Sequence, residues 1–403
     1  MKHLEQPFPE ENLSITFRNE TEFPKSVRKD PGPIPIDLLI DILSRLPRKS
    51  IDRFRCVSKF WGYILRRPDF TELFLTNSST RPRILFIVEA DGKLLFYSSP
   101  QPQTQTQDDN STLVATRYHT SFPKYLPSDE FSTVCGLALL HNYYKKQGRV
   151  FCNPITGEFL TLPEVKVNLD TEAKEEMARI GLGNDPISKQ FKLLCMTSSP
   201  CDRPTTYQVL TLEPEKRLWR RVECGFHFTG IRRMSDEICI NSVLYFRAWL
   251  GQSSVVVCFD VGSEKFDFIK IDEEDIVGEV GYYFSGGMVL FNYKGKLCIR
   301  QETDYWKIED EIVLWVVEDA GNHKWSKHTY ELPTLISSKQ FVGMTVTGET
   351  VWSSYKNDPK PFFLDFYNLE RKTCTRVDIQ GFEEFKRRTI HILLDYVENL
   401  RFI

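Results

Sequence analysis

The 403-residue sequence lacks the long apolar runs that mark membrane-spanning and secreted chains. No stretch reaches the roughly 18 consecutive apolar residues expected of a membrane span. The first residues, MKHLEQPFPEEN, contain no apolar segment of the kind found in signal peptides. The formal net charge is only −3, so no overall field draws the chain toward nucleic acid or a membrane surface. We therefore expect a protein of the cytoplasm, the nucleus or both, with neither membrane nor nucleic acid as a partner.

Paired cysteine motifs are also absent. The ten cysteines are scattered at irregular spacing, and no two form a C-x-x-C pair. Five of them lie in apolar, strand-like runs: Cys152, Cys195, Cys239, Cys258 and Cys298. This usage predicts buried, reduced thiols rather than a disulfide framework or a zinc site.

Sequence signatures of catalysis are missing as well. The seven histidines never fall in a metal-ligand spacing such as H-E-x-x-H, and P-loop, G-x-S-x-G and kinase motifs do not occur. The segment GLGNDP at Gly181 has two glycines of a phosphate-binding loop but not the third, so we interpret it as a turn. We predict no catalytic residue, no metal site and no cofactor.

What the sequence does contain divides into three parts. Residues 1–30 are polar and rich in proline, which is typical of a disordered tail. Residues 31–75 have helical periodicity and predict a small all-α unit of three helices. Residues 81–403 predict an all-β domain.

The three helices are predicted within residues 34–70. Pro35 opens the first helix and Pro47 ends it, since proline cannot continue the hydrogen-bond ladder. Ser50 and Ser58 are predicted to cap the second and third helices, and the third stops before Pro68. Apolar residues recur on one face of the first helix: Leu38, Leu39, Ile42, Leu43 and Leu46. A unit of under about 40 residues rarely buries enough surface to fold unaided. We therefore expect the β domain or a partner to cover part of this face.

The helical unit is locally basic. Residues 34–70 contain eight lysines and arginines against four aspartates. This excess fits an acidic partner surface, and it equally fits DNA phosphates in a helix-turn-helix. The second interpretation is disfavoured because no run of Asn, Gln or Arg suits a base-reading helix and the whole chain is slightly acidic.

From about Arg83 the pattern changes to short β-branched and aromatic runs separated by turn residues. One hairpin unit recurs six times, for example as VFCNPITGEFLTLP and VVCFDVGSEKFDFIKI. Further strand pairs, such as MVLFNYKGKLCIRQ, lie between these units. Four strands per repeat are the content of one blade, and the repeat of roughly 50–60 residues is close to the kelch-type period of about 50 residues. The sequence predicts a β-propeller of about six blades, with a β-sandwich-like arrangement as the alternative.

The two ends of the β domain are predicted to share a blade. The first hairpin, near Arg83, has no companion pair, and the C-terminal run IHILLDYVENLRFI can supply one and close the ring. The segments QPQTQTQDDNST and VNLDTEAKEEMAR are predicted to be surface loops.

The helical segment IPIDLLIDILSRLPRKSIDRFRCVSKFWGYILRRPDF resembles the F-box motif of plant F-box proteins over its full length. It carries the Leu-Pro pair, the R-F-R-C-V-S-K-x-W segment and the final Pro-x-Phe. Ile34 stands where the family usually has Leu, and Asp41 where it usually has Glu; both keep the chemical type.

The β domain resembles the F-box-associated interaction domain, of the kelch-like type 3. The marks are NPITGEFLTLP, GLGNDPISKQFKLLCM, ICINSVLYFRAW and CFDVGSEKFDFI, followed by NYKGKL and FYNLERKTCTRVDIQG. Ser242 stands where the family usually has Gly. The resemblance covers nearly everything after Arg81.

The resemblance implies a substrate-recognition subunit of an SCF-type cullin–RING ubiquitin ligase that is not itself an enzyme. The F-box would dock on a SKP-type adaptor, and the β domain would hold an unknown target. The implied adaptor contacts are Ile34, Pro35, Leu38, Ile42, Leu43, Leu46, Pro47, Val57 and Trp61. Core packing is the alternative role of several of them, and it is the preferred one for Phe54, Val57 and Ile64.

Trp249, Tyr282, Tyr283 and Trp352 are candidates for target binding or for packing between blades. The other functional class left open is a propeller enzyme or sugar-binding module whose F-box only controls its own turnover.

Overall fold

The computed structural model describes the chain from residue 34 to residue 401 with internal gaps. The described ranges are 34–102, 111–123, 130–141, 149–165, 176–198, 206–212, 217–230, 237–271, 288–301, 310–354, 362–385 and 390–401. The chain separates into two units, residues 1–77 and 78–403. The predicted tail, residues 1–30, lies outside the described residues. Within those residues, no helix is long and apolar enough to cross a membrane.

The N-terminal unit contains the predicted helices and one more. These are α1 (Ile36–Ser44), α2 (Arg48–Val57), α3 (Lys59–Ile64) and α4 (Pro68–Ser79). Ser58 caps α3 as predicted, because its hydroxyl accepts a hydrogen bond from the backbone N–H of Trp61 at 3.3 Å. Ser50 does not cap α2, and that prediction is wrong: α2 begins two residues earlier, directly after Pro47.

Helix α4 lies beyond the three predicted helices: Pro68, before which the third helix is predicted to stop, is the first residue of a fourth. Proline is also favoured at the first position of a helix, where its missing N–H costs no hydrogen bond. The side-chain amide of Asn77 donates to the hydroxyl of Ser44 at 2.7 Å and so ties α4 to α1. Phe70 and Phe74 on α4 are fully buried and lie against each other, with ring centroids 6.2 Å apart. The unit therefore has a larger apolar interior than three helices alone provide.

Across its described residues, the second unit has 26 strands in six sheets, which we number as blades 1 to 6. Blade 1 contains β1 (Arg83–Ala90), β2 (Lys93–Pro100), β4 (Thr116–Pro123) and β26 (Ile390–Tyr396). Blade 2 contains β5 (Glu130–Val134), β6 (Leu137–His141), β7 (Val150–Cys152) and β8 (Phe159–Thr161). Blade 3 contains β9 (Glu176–Asp185), β10 (Gln190–Ser198), β11 (Thr206–Thr211) and β12 (Arg220–Val222).

The remaining blades follow the same plan. Blade 4 contains β13 (Phe228–Thr229), β14 (Ile238–Ile240), β15 (Val243–Leu250), β16 (Ser253–Asp260) and β17 (Phe266–Lys270). Blade 5 contains β18 (Met288–Tyr293), β19 (Lys296–Gln301), β20 (Glu311–Asp319) and β21 (Lys324–Glu331). Blade 6 contains β22 (Gln340–Met344), β23 (Glu349–Ser353), β24 (Phe363–Asn368), β25 (Thr373–Gln380) and the added strand β3 (Ser111–Val114). A short helix, α5 (Thr334–Ser337), precedes β22, and a 3₁₀ turn, Glu383–Phe385, precedes β26.

The blades are arranged in a closed ring. Strands β5, β9, β14, β18, β22 and β26 contact one another in that order. The ring of Phe131 on β5 lies 4.7 Å from that of His391 on β26 and completes the circle. Apolar clusters fill the spaces between neighbouring blades; one of them joins Leu194 and Val209 of blade 3 to Phe246 and Val257 of blade 4. The six-bladed propeller is confirmed, and the β-sandwich alternative is excluded.

Blade 1 is shared between the two ends of the domain, as predicted. Strand β1 pairs antiparallel with β26, in a register that joins Arg83 to Tyr396 and Val88 to Ile390. The β1–β2 hairpin is therefore the middle pair of its blade rather than an outer hairpin. A second closure was not predicted: residues 111–123 pair first with β25 of blade 6 and then with β2 of blade 1. The predicted loop QPQTQTQDDNST ends in this strand, and its residues 103–110 lie outside the described residues.

Gly181 and Gly183 lie inside β9, and the turn predicted there begins only after Asp185. A Cβ atom on Gly181 would come within 2.6 Å of a methyl of Leu244, and one on Gly183 would overlap a methyl of Val261. Both glycines thus permit close approach of blade 4, which is a packing requirement rather than a turn requirement. The second predicted loop, VNLDTEAKEEMAR, also ends in β9, and its first part lies outside the described residues.

Candidate functional site

Helix α1 and the residues just before it expose a row of large aliphatic side chains, which we call the apolar stripe. Ile34, Leu38 and Ile42 are spaced by four residues and therefore lie on one side of the helical segment. Their exposed fractions are 56%, 52% and 52%. Contiguous apolar surface of this kind is unusual on a monomeric protein and marks a site of interaction. The stripe is the strongest candidate for a docking surface in the N-terminal unit.

The opposite side of α1 faces inward. Ile40 is 8% exposed and Leu43 only 3% exposed. Leu43 is therefore packed inside the unit, and its expected adaptor contact stays a prediction. An amphipathic pattern does not show which of two apolar sides of a helix will be covered by its own chain, so the sequence placed Leu43 with the stripe.

The other expected contact residues fall into three groups. Pro35 and Pro47 are exposed at the two ends of the α1 segment. Leu46 and Trp61 are half-buried, and the Trp61 ring packs 5.5 Å from that of Phe54. Val57, at the end of α2, is 66% exposed, so its expected role in the inner core is wrong. The expected core position of Ile64, in contrast, is confirmed by an exposure of 1%.

The propeller has two unlike faces. Strands alternate in direction, so the connections between the first and second and between the third and fourth strands of a blade lie at one end. In blades 2 to 6 these connections include tight turns such as positions 135–136 and 294–295. The connections between successive blades start from the other end; 14 residues separate β8 from β9 along the chain, and 17 residues separate β17 from β18. We call these the short-turn face and the long-connection face.

The short-turn face is held together by residues 397–401, which we call the C-terminal strap. After β26 the strap crosses blades 1, 2 and 3, and Leu400 within it is fully buried. Its hydrogen bonds include, in chain order, Tyr118 Oη to Glu398 Oε1 (3.0 Å), Asn399 Nδ2 to the Cys135 carbonyl (2.8 Å), Asn153 Nδ2 to the Asn399 carbonyl (3.0 Å) and Arg401 Nη1 to the Lys189 carbonyl (3.0 Å). The strap leaves no local pattern in the sequence, because its partners are far away along the chain.

The structure describes two of the four residues that were candidates for target binding or for packing between blades. Trp352 is 1% exposed and donates from Nε1 to the hydroxyl of Thr350, so it belongs to the packing of blade 6. Trp249 is half-buried and lies against the backbone of Gly230. Tyr282 and Tyr283 lie outside the described residues. For Trp352 the blade-packing alternative is therefore confirmed, and the target-binding residues stay unassigned.

The buried thiols are unreactive. Cys152, Cys195 and Cys298 are fully buried. Burial raises the pKa of Cys195 to about 12, and the pKa of Cys298 likewise to about 12. These thiols are therefore protonated at neutral pH and poor nucleophiles. Within the described residues, no group of three His, Cys, Asp or Glu side chains is placed to hold a metal ion.

Comparison with known proteins matches both units to family models. Residues 34–73 match the F-box domain, and residues 83–397 match the F-box associated beta propeller domain. The F-box protein At1g53370 of Arabidopsis thaliana is 44% identical and aligns over 100% of both chains. The F-box protein DOR of the same plant is 40% identical over 92% of this chain and 94% of its own length. Among solved structures, the Nup133 β-propeller domain of Vanderwaltozyma polyspora gives a TM-score of 0.28 at 14% identity, over 77% of this chain and 85% of that one.

Proposed function

Since the chain belongs to the family of F-box proteins with an F-box associated β-propeller domain, we propose that it is the substrate-recognition subunit of an SCF-type cullin–RING ubiquitin ligase. In this role the N-terminal unit docks on a SKP-type adaptor, which joins it to cullin and RING protein. The propeller holds a target protein. The chain acts in the cytoplasm or nucleus and performs no chemistry itself.

The apolar stripe is the observation that carries the adaptor half of the proposal. Ile34, Leu38 and Ile42 each leave about half of their side chain in solvent. Covering the rest of each side chain is worth about 1 kcal/mol, since full burial of such a residue is worth about 1.5–3 kcal/mol. A helix presenting anchors at this spacing is a common form of recognition by a hydrophobic groove. Val57 adds a fourth exposed aliphatic residue at the end of α2.

The two faces of the propeller support the target half. The connections on the short-turn face include tight turns, and the C-terminal strap crosses this face. It therefore provides little loop surface for binding a target. The long-connection face is the end at which the described strands of successive blades are most widely separated along the chain, and binding residues usually reside in connections held by a rigid scaffold. We assign target binding to the long-connection face.

The mechanism is one of proximity. A target held on the propeller and a ligase module held on the F-box become parts of one assembly. Lysines of the target then meet the charged ubiquitin enzyme at a high effective concentration, without a catalytic group from this chain.

Reconstitution tests the proposal. The purified full-length chain is mixed with a purified SKP-type adaptor and analysed by gel filtration with light scattering. Co-elution as a one-to-one complex, followed by adaptor-dependent ubiquitination of a propeller-bound protein in the presence of cullin and RING protein, is the expected result. A chain that elutes alone at every concentration contradicts the proposal.

A further inference from the structure

One arginine of the propeller is buried without a partner. Arg149 immediately precedes β7 and is only 9% exposed. Its Nε atom is buried and makes no hydrogen bond, and no described residue forms an ion pair with its guanidinium group. Arginine stays protonated in proteins, and a buried charge is ordinarily paired with a group of opposite charge. A guanidinium that the described part of the chain leaves unpaired therefore points to an anion supplied by another molecule.

The backbone around Arg149 is fixed where blade 2 meets blade 3. The carbonyl oxygen of Arg149 accepts a hydrogen bond from the backbone N–H of Leu162 at 2.9 Å. Trp219, which precedes β12 of blade 3, donates from Nε1 to the carbonyl oxygen of Pro163 at 2.8 Å. The guanidinium is thus carried by rigid backbone, and a group that is already ordered loses little conformational entropy when it binds a partner.

The charges near Arg149 do not balance it. Burial lowers the pKa of Arg149, while Cys195 and Glu164 raise that pKa. The Cys195 thiol has a pKa of about 12 and is therefore neutral at pH 7. Glu164 is exposed and forms no ion pair with Arg149. Because water screens this carboxylate, the guanidinium keeps most of its charge uncompensated.

The guanidinium belongs to the long-connection face. Strand β7 is the third strand of blade 2, so its first residue lies at the end from which successive blades are connected. The Nε atom of Arg149 is sealed from solvent, whereas its two terminal nitrogens are not. These nitrogens can donate two parallel hydrogen bonds to one planar group, which is the geometry in which arginine binds a carboxylate.

One positive charge matches one carboxylate. A phosphate group carries up to two negative charges and offers three acceptor oxygens, and proteins bind it with clusters of arginines. Among the described residues, no second cation acts on Arg149, and Glu164 would repel a doubly charged group more strongly than a singly charged one. The surroundings of Arg149 therefore favour an aspartate or glutamate side chain over a phosphorylated residue.

We propose that Arg149 binds the carboxylate of an acidic side chain on the target protein and so selects targets with Asp or Glu at one defined position. This inference rests on the proposed function and adds a specificity-determining contact to the long-connection face. Glu164 acts against this contact, because its negative charge weakens the attraction of Arg149 for an incoming acid.

The first test compares Arg149 with a buried arginine that has a partner. Arg179 pairs with Glu237 at 3.0 Å, and their side chains are 7% and 6% exposed. Arg179→Met leaves Glu237 buried alone and should lower the urea midpoint of the full-length protein. Arg149→Met removes an unpaired charge and should leave the midpoint unchanged or raise it. An Arg149→Met midpoint as low as that of Arg179→Met would assign Arg149 to the fold and overturn the proposal.

A peptide selection tests the ligand. A random dodecapeptide library displayed on mRNA is depleted on the full-length Arg149→Met variant and then selected on the full-length wild type. The link to mRNA leaves no free C-terminal carboxylate, so an acidic group must come from a side chain. The selected peptides should share one Asp or Glu, and replacing it by Asn or Gln should weaken binding about tenfold or more. A selection that retains no peptide, or peptides without a shared acidic residue, would overturn the proposal.

Variants of the two charged residues separate their effects on a selected peptide, measured by fluorescence anisotropy. Arg149→Lys should bind more tightly than Arg149→Met and less tightly than wild type, since an ammonium keeps the charge but not the planar pair of donors. Glu164→Gln should bind about two- to threefold more tightly than wild type. Phosphoserine at the shared position should bind more weakly than glutamate, and tighter binding would overturn the choice of a carboxylate.

Adaptor binding distinguishes this inference from the proposed function. Arg149→Met should bind the SKP-type adaptor as tightly as wild type, because Arg149 belongs to the propeller. A wild type that binds the adaptor but selects peptides without regard to Arg149 would overturn the inference and leave the proposed function standing. A wild type that does not bind the adaptor would contradict the proposed function, even where the acidic peptides bind.

Discussion

The side-chain amide of Asn153 donates to the backbone carbonyl oxygen of Asn399, 246 residues further along the chain, at 3.0 Å. The same amide donates to the carbonyl oxygen of Arg401 at 2.9 Å, and its own oxygen accepts from the backbone N–H of Ile155 at 2.9 Å. Asn153 is fully buried. The first residue of the NPITGE segment therefore shapes its own turn and also anchors the C-terminal strap to blade 2.

We predict that Asn153→Ala lowers the free energy of unfolding by about 3 kcal/mol, because it leaves several buried backbone groups without partners and each costs about 1–3 kcal/mol. Urea unfolding of the full-length protein, followed by tryptophan fluorescence, measures the effect. Asn322→Ala is the control, because Asn322 also bonds within a turn, to Asp319, but in an exposed position. Equal losses for the two variants would show that the strap contributes nothing beyond a local turn.

The packing of blade 3 on blade 4 makes a second prediction. Gly183→Ala should lower the free energy of unfolding by about 1–3 kcal/mol, since the added methyl overlaps the β-branched side chain of Val261 and the blades must separate. Gly181→Ala should lower the free energy of unfolding by less than Gly183→Ala does, because the end of the more flexible Leu244 side chain can move aside. Gly225→Ala is the control, as no atom lies within 4 Å of its added carbon. The ranking is checked by urea midpoints, and a Gly183 variant as stable as the Gly225 variant would contradict it.

A third prediction concerns pH. Burial raises the pKa of Glu349 above its ordinary value of 4.5, and the carboxylate of Asp395 raises that pKa further. The folded chain thus holds a proton at a pH where the unfolded chain has released it. The stabilising contribution of this proton is present below the unfolded pKa and is lost as the pH rises through the raised folded pKa. Glu349→Gln removes the effect, so the variant should gain stability relative to wild type as the pH rises from about 4.5, the ordinary value of this carboxyl, through neutrality.

Urea unfolding of both proteins across this range measures the difference. Glu318→Gln is a control of opposite sign, because hydrogen bonds from Lys296 and Ser326 lower the pKa of Glu318. The stabilising contribution of this lowered pKa is complete above the unfolded value of about 4.5, so the Glu318→Gln variant should be less stable than wild type by an amount that stays constant as the pH rises further. A Glu349→Gln variant whose difference from wild type does not change with pH would contradict the assignment.

Much of the fold was predictable because its signals are local and repeated. Strand pairs and turns recur along the chain, and the unpaired hairpin near Arg83 indicated that the C-terminal run must close the ring. The apolar character of Leu38 and Ile42 on α1 was also predictable from helical periodicity. What could not be predicted depends on contacts between distant segments. The strap on Asn153, the crossing of β3 to blade 6 and the close approach of Val261 to Gly183 leave no periodic trace in the sequence.

In the candidate site, too, the local pattern was predictable from the sequence and the packing was not. Periodicity identified Leu38 and Ile42 as apolar positions, but it did not separate them from Leu43, which the fold buries. Only the packing of α1 in its unit decides which apolar side is left for a partner. Substitutions meant to test docking therefore belong at Leu38 and Ile42, because a change at Leu43 would test folding as well.

The central claim is that the apolar stripe binds a SKP-type adaptor, and the most direct measurement is the affinity of the full-length chain for that adaptor by titration calorimetry. We expect Leu38→Ala/Ile42→Ala to weaken binding about 100-fold, since truncating two anchors at an interface costs more than about 1 kcal/mol each. The matched control is Ile187→Ala/Leu218→Ala, which removes the same residue types from propeller positions that are 92% and 76% exposed. That variant should bind like wild type. An affinity unchanged in the Leu38→Ala/Ile42→Ala protein, with the chain folded and the wild type binding, would contradict the account.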